Sequence, residues 1–256
     1  MTIADSAAPP PGGGEPPRPR TVVVLQPSYL PWLGYFDQMA RADDFVYYDD
    51  VQFDKHGWRN RNQIKGQAGA QWLTVPVLTK DRFGQSIAEI RINNDSPWGR
   101  KHVAALRQNY ARAPFFKEVF PPIEEVLSRR WEALVDLVLA SNEVLRRLLG
   151  LSTPLHRSST LGIGGGQTDR LVSLCRRFGA TRYVSGSSAR DYLDEAQFRA
   201  AGIRLEYQDY RHPTYPQLHG EFVGHLSVVD LLMNCGRNGL GILRTAEDST
   251  PKGDAS

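Results

Sequence analysis

The sequence predicts an α/β fold: a mostly parallel three-layer α/β/α sheet with a helical middle segment. Three observations carry that expectation. The runs at 21–26 (TVVVLQ) and 44–51 (DFVYYDDV) are β-branched or aromatic without alternation, as in strands buried on both faces. A short helical stretch separates them, so strand, helix and strand form a βαβ unit. After Pro154 strands and helices alternate again, and Gly179 and Gly202 stand where helices should end.

Taken in order, Pro27 and Pro31 hold an extended loop after the first strand, and Gly34 allows a tight approach to a helix at 35–41. Residues 71–77 (QWLTVPV) and 87–92 (IAEIRI) are expected as two further strands joined by a polar loop at 79–85. Pro76 places the first of these at an edge. The middle is helical. Residues 98–110 carry Val103, Leu106 and Tyr110, and 113–128 hold a helix that can begin only after Pro121 and Pro122. Residues 130–149 set Trp131, Leu134, Val135, Val138 and Leu145 on one face, a core stripe rather than a cofactor box. Then follow a strand at 155–161, a helix at 168–178, a strand at 181–185, a helix at 194–201 and a strand at 203–207. A last helix at 227–234 has Ser227 as its N-cap. Neither half, 21–92 or 154–234, can bury its own sheet, so 21–243 is expected as a single domain. The Pro/Gly-rich residues 1–20 and residues 244–256 are expected as disordered tails.

Composition excludes several classes. The chain of 256 residues is 41% hydrophobic and 23% charged, with a mean hydropathy of −0.41, enough for a real core in water. Its formal net charge of +3 is spread along the whole length, which argues against nucleic acid as a partner. Cys175 and Cys235 lack CxxC spacing, so neither a disulfide framework nor a zinc knuckle is expected. Cys175 reads as a buried residue of its helix, and no base stands beside Cys235. His212, His219, Glu221 and His225 match no zinc spacing and read as loop residues, so no metal ligand is assigned. Residues 1–20 contain no apolar signal core, and no run approaches the roughly 18 apolar residues that span a bilayer. No membrane partner and a cytoplasmic location follow as expectations.

The densest collection of ligand-orienting groups is the stretch 26–62. In open parallel sheets ligands sit beyond the carboxyl ends of the strands. Gln26 and the pair Asp49–Asp50 fall at two such ends. Neighbours on a strand point to opposite faces, so one of the two acids faces a given cleft. The acids suit a general base for an amine, ligation of Mg²⁺ beside phosphates, or the cap of the following loop. Beyond Gln52, the residues Lys55, His56, Arg59 and Arg61 surround Trp58, with Asn60 and Asn62 interleaved. Arginine offers a planar fork for phosphate or carboxylate, lysine a point charge, asparagine an amide for sugar hydroxyls and tryptophan a flat ring face. Tyr29, Trp32 and Tyr35 are expected as one wall; the tyrosines are the ligand candidates and Trp32 the structural one. Residues 162–169 (GIGGGQTD) either connect the halves or offer backbone N–H groups to an anion at a helix start, with Gln167 and Arg170 as the side chains to watch. The run 185–188 (SGSS) that starts at Ser185, with Asp191 and Tyr192, leaves a strand end toward the same crevice.

The segments YFDQMARADDFVYYDDVQFDKHGWRNRNQI, RRFGATRYVSGSSARDYLDEAQFRAAGI and HLSVVDLLMNCG resemble the WbqC-like family of bacteria over residues 21–243. The resemblance implies a place in O-antigen, other surface-polysaccharide or specialised-metabolite biosynthesis. It further implies modification of amino sugars by transfer of an acyl or aminoacyl group. Family members often have His or Met where Leu25 stands, so a chemical role for a histidine there is not shared. Three functions are open. The first is a transferase moving a small acyl or aminoacyl group, with an acyl carrier protein as donor partner, onto a small-molecule amine or amino sugar. In it an acid of the Asp pair deprotonates the amine, Lys55 and Arg61 hold the donor's anionic part, and Gln26 and Asn60 orient the acceptor. The second is a nucleotide-sugar enzyme whose Asp pair binds Mg²⁺, the one cofactor considered. The third is a non-catalytic binding partner in a biosynthetic complex.

Overall fold

The opening apolar run forms β1 (Thr21–Leu25), buried at its first four positions. It is the middle strand of a wholly parallel five-stranded sheet with order β5-β2-β1-β6-β7. The other strands are β2 (Asp44–Tyr47), β5 (Leu155–Arg157), β6 (Arg182–Gly186) and β7 (Arg204–Gln208); β3 (Arg61–Gly66) and β4 (Gly69–Thr74) make a separate antiparallel hairpin. The helices are α1 (Leu33–Arg41), α2 (Trp98–Tyr110), α3 (Phe116–Ser128), α4 (Leu134–Leu148), α5 (Gln167–Arg177), α6 (Glu195–Ala200), α7 (Val228–Cys235) and α8 (Gly239–Thr245). This computed structural model describes residues 18–55, 57–79 and 84–245. The rest of both expected tails, His56 and part of the expected loop at 79–85 lie outside the described residues.

Side-chain alternation on the strands divides the core in two. Val23, Phe45, Tyr47 and Val184 enter one cluster with Leu33, Phe36 and Met39 of α1 and the apolar faces of α2, α3, α4 and α7. Val22, Val24, Val46 and Tyr183 point the other way, onto Leu171, Val172, Leu174 and Cys175 of α5 and Phe198 of α6. The result is the three-layer α/β arrangement that the unalternating strands predicted. From β1 the chain crosses through α1 on the first face to β2. From β6 it crosses through α6 on the second face to β7, on the opposite side of the sheet. Right-handed crossovers leaving in opposite directions open a crevice where β1 and β6 part.

Several expected elements differ. The strand at 44–51 stops early: Tyr48 N–H still reaches the Leu25 carbonyl at 2.8 Å, but Asp49 N–H turns to Ser158 Oγ at 3.1 Å. The strand expected at 71–77 lies in the antiparallel hairpin, paired with β3, whose polar residues concealed a strand. The strand expected at 87–92 is instead a short 3-10 turn, Ile87–Glu89, fixed by a capping box in which Ser86 and Glu89 satisfy each other's backbone. The strand expected at 155–161 ends at Arg157, and Ser158–Thr160 form a 3-10 turn. Helix α3 contains both Pro121 and Pro122 instead of starting after them. The two carbonyls they leave without amide partners belong to exposed Lys117 and Glu118, where water can serve them. At the ends, Arg18 and Arg20 pair with Asp43 and Asp44 at 2.6 and 2.7 Å, and α8 runs past the expected limit with Leu243 fully buried.

Candidate functional site

The crevice beyond β1 and β6 is a cleft of about 810 Å³. Each layer supplies one wall. Gln26 follows β1, while Trp32, Tyr35 and Gln38 come from the approach to α1 and the helix itself. Ser185, Gly186, Ser187 and Ser188 leave β6, and Gln208 ends β7. Gly165, Gly166, Gln167 and Arg170 form the start of α5. The segment after β2 closes the rim with Tyr48, Gln52, Trp58, Arg59 and Asn62.

The floor is a fixed amide relay. Gln208 Nε2 donates to the Gly34 carbonyl at 2.9 Å and to Asp37 Oδ2, both obligate acceptors. Its Oε1 must therefore face Gln38 Nε2, which donates to it at 2.8 Å. Asp37 is held in turn by Arg41 at 2.9 Å. Arg59 donates through Nη1 to the Gln26 carbonyl at 3.1 Å, while its buried Nε has no partner. Burial lowers the Arg59 pKa, with nearby Tyr35 and Asp54 acting against that shift. The Tyr35 hydroxyl, also buried without a partner, is pushed well up by burial. Across the cleft Arg170 lies over the Tyr48 ring, 5.0 Å from its centroid, and grips the Asp50 carboxylate.

The structure brings Gln26, Tyr35, Gln52, Trp58, Gln167, Arg170 and Ser185 together as lining residues. The other expected residues lie elsewhere. Tyr29 is fully buried in the core, its hydroxyl 2.9 Å from His102 Nδ1. Asn60 is buried with its amide donating to the Val75 carbonyl at 2.8 Å. Arg61 sits on the hairpin, its guanidinium 4.8 Å from the Trp72 ring centroid. Lys55 and Asp191 are exposed outside the lining.

The acid pair divides. Asp49 is fully buried, accepting from Ser159 N–H, Ser159 Oγ and Arg157 Nε at 3.0, 2.8 and 2.8 Å. Burial disfavours its charge, but the Ser159 and Arg157 hydrogen bonds outweigh it and hold the carboxyl below its usual range. Asp50 also stands outside the lining and touches the cleft through Arg170; its other oxygen accepts from Ser158 Oγ at 2.5 Å. A magnesium ion would need these oxygens, and arginine and serine donors already engage both carboxylates. Among the described residues no group of three or more His, Cys, Asp or Glu is placed to hold a metal. The pair therefore does not fit the Mg²⁺ role that sequence suggested.

Gln38, Tyr48, Gln208 and Tyr210 were not singled out from sequence. Two carried a signal. Gln38 stands three residues after Tyr35 on the same helical face, a polar residue on a buried stripe. Gln208 ends a strand of the parallel sheet, where ligands gather. Tyr210 and Tyr48 lie in irregular segments with no such pattern.

Among the described residues no helix is long and apolar enough to cross a membrane. No solved structure matches the chain. A protein from Mycobacterium tuberculosis (strain ATCC 25618 / H37Rv), described as uncharacterized, is 41% identical over 229 residues, covering 88% of this chain and 98% of that protein. The model of the WbqC-like protein family matches residues 26–242, which include all the residues lining the cleft except Val24 and Leu25. By both comparisons, the chain belongs to the WbqC-like protein family.

Proposed function

We propose that the protein is a biosynthetic transferase that holds an anionic, hydroxyl-bearing amine in the switch-point cleft and moves a small acyl or aminoacyl group onto it. The acceptor class is an amino sugar of surface-polysaccharide synthesis or a specialised-metabolite amine. The observation that carries this reading is the lining. Arg59 and Arg170 both line the cleft, together with the amides of Gln26, Gln38, Gln52 and Gln208 and the hydroxyls of Ser185, Ser187 and Ser188. Arginine forks suit phosphate or carboxylate, and amides suit sugar hydroxyls. In the transfer the amine nitrogen attacks the activated carboxyl carbon and forms the C–N bond. The donor's leaving group, a thiolate if a carrier protein brings the acyl group, departs with the bonding pair. Asp50, which meets the cleft through Arg170, takes the amine's proton on a lone pair that Ser158 and Arg170 leave free, because Asp49 is enclosed by its own donors. Lys55, exposed on the same loop, would meet the donor's anionic part.

Titration calorimetry with glucosamine 1-phosphate tests the reading. Wild-type protein should bind it, and Arg59→Gln and Arg170→Gln should each weaken binding about tenfold or more, since charge-assisted bonds of ~1.5–3 kcal/mol are lost. Unchanged affinity in both variants, or no binding to the wild type, overturns it.

A further inference from the structure

Beside the cleft lies a second cavity of about 310 Å³, lined by Trp32, Trp58 and His225. Trp32 and Trp58 line both cavities, so the two are direct neighbours. We infer that this slot holds the base of a nucleotide, so that the anionic substrate of the cleft is nucleotide-linked. The inference rests on the reading that the cleft binds an anion, and it adds the identity of the group carrying the charge.

Both indoles are built in place. Trp58 is 46% exposed, yet it stacks on Trp72 with ring centroids 5.5 Å apart and planes 27° from parallel, and its carbonyl accepts from Tyr29 N–H at 3.1 Å. Trp32 folds back over the start of α1 in space that only glycine leaves open: a Cβ on Gly34 would lie 2.4 Å from the indole. His225 stands 5.7 Å from Trp32 and holds a left-handed φ of 59°, a conformation that residues other than glycine seldom adopt. Two indoles fixed by packing, Trp58 on Trp72 and Trp32 over Gly34, suit a flat ring.

Three occupants compete. A sugar ring would lose water from its hydroxyls and find one imidazole in return. An acyl chain has no use for flat walls held in orientation. A nucleobase has two π faces, stacks on indole whatever its sequence identity, and is tied covalently to phosphate. Arg59, next in the chain to Trp58, lines the cleft where that phosphate would emerge.

Tryptophan-fluorescence and calorimetric titrations of the full chain with UMP, CMP, dTMP, AMP and GMP, against ribose 5-phosphate, isolate the base. At least one nucleotide should bind tenfold or more tightly than ribose 5-phosphate. Trp58→Ala should abolish that advantage, bringing the nucleotide and ribose 5-phosphate affinities to about the same value, and Trp58→Phe should restore most of it. No nucleotide advantage, or an advantage that survives in Trp58→Ala at an unaltered thermal midpoint, overturns the slot. Glucosamine 1-phosphate binding that depends on Arg170 but shows no nucleotide advantage would leave the transferase reading standing and remove the base. Nucleotide binding through Trp58 without any glucosamine 1-phosphate binding would do the reverse.

Discussion

Asp49 and Asp50 are chain neighbours with opposite surroundings, and substitution should separate them. In Asp49→Asn one carboxylate oxygen becomes an NH2 that opposes either Ser159 N–H or the Arg157 guanidinium, donor against donor, at a fully buried position. A loss of about 3 kcal/mol is expected in urea unfolding, the scale of charge-assisted bonds removed from a buried acceptor. Asp50→Asn, at a partly exposed pair, should cost under about 1 kcal/mol yet release Arg170 and reduce ligand affinity in calorimetry. Equal stability losses would show that both acids are structural. Acid should expose His102 and Asp49 in separate windows. Burial depresses the His102 pKa to about 4, against a hydrogen bond with the backbone of Thr74, whereas the unfolded imidazole titrates near ~6.5. Between these values the unfolded chain binds a proton that the native state refuses, so stability is complete above ~6.5 and falls toward pH 4. The loss is on the order of 3 kcal/mol. The lowered Asp49 acts elsewhere: its contribution is present above ~4 and is lost as pH falls through its depressed native value. Urea midpoints at pH 7.5, 5.5 and 4.5 should decline in the wild type and flatten in His102→Gln; a slope unchanged by that variant would exclude His102.

Elements show what local pattern can and cannot reveal. Strands β1 and β2 were legible because burial on both faces leaves unbroken apolar runs, and Ser227 was legible because its side chain accepts from Val229 N–H, as an N-cap must. Strand β3 was not legible. Its buried positions include Asn62, whose amide donates to the Leu30 carbonyl at 2.7 Å, and Lys65, so polar letters occupy core sites. The 3-10 turn at Ile87–Glu89 was visible in principle as Ser86-x-x-Glu89, but the apolar letters around it outweighed the box. Helix α3 is the sharpest departure. A mid-helix proline costs ~3 kcal/mol relative to alanine, yet Pro121 and Pro122 stand inside it. Val119, Phe120, Ile123, Val126 and Leu127 are buried on the opposite stripe, and tertiary packing overrides local preference. Pro121→Ala should therefore stabilise, by about 1–2 kcal/mol after the gain in unfolded-state entropy, and raise the melting temperature by roughly 2–6 °C. A lower melting temperature by scanning calorimetry would mean that the proline ring itself is part of the packing.

At the scale of the whole molecule, the crevice was readable because ligands of open parallel sheets sit beyond the carboxyl ends of the strands, and Gln26 and Ser185 stand at two such ends. Its roof was not, because residues 209–226 have no periodicity and are positioned by distant partners. The partners form one buried polar chain. Lys65, 1% exposed, donates from Nζ to Gln217 Oε1 at 3.0 Å and to the Glu221 carbonyl. Gln217 Nε2 donates to Asp230 Oδ2 at 2.7 Å, and Tyr110 donates its hydroxyl to Asp230 Oδ1 at 2.7 Å. Burial pushes the Asp230 carboxyl up, against hydrogen bonds from Tyr110, Tyr215 and Gln217 and the charge of Lys65. Thus the hairpin, α2, α7 and the segment carrying Tyr210 and His225 meet at two opposite charges bridged by one amide. Removing either charge strands the other in a dry site, so Lys65→Met and Asp230→Asn should each cost about 3 kcal/mol in urea unfolding. The double variant leaves a neutral network, and its cost should fall short of the sum by at least ~1 kcal/mol. Both single variants should also loosen the roof and weaken nucleotide binding, although neither residue lines the cleft or the slot. Costs that add to within ~0.5 kcal/mol would mean that Gln217 does not couple the two charges, and that the roof is held by its aromatic contacts with Trp32 alone.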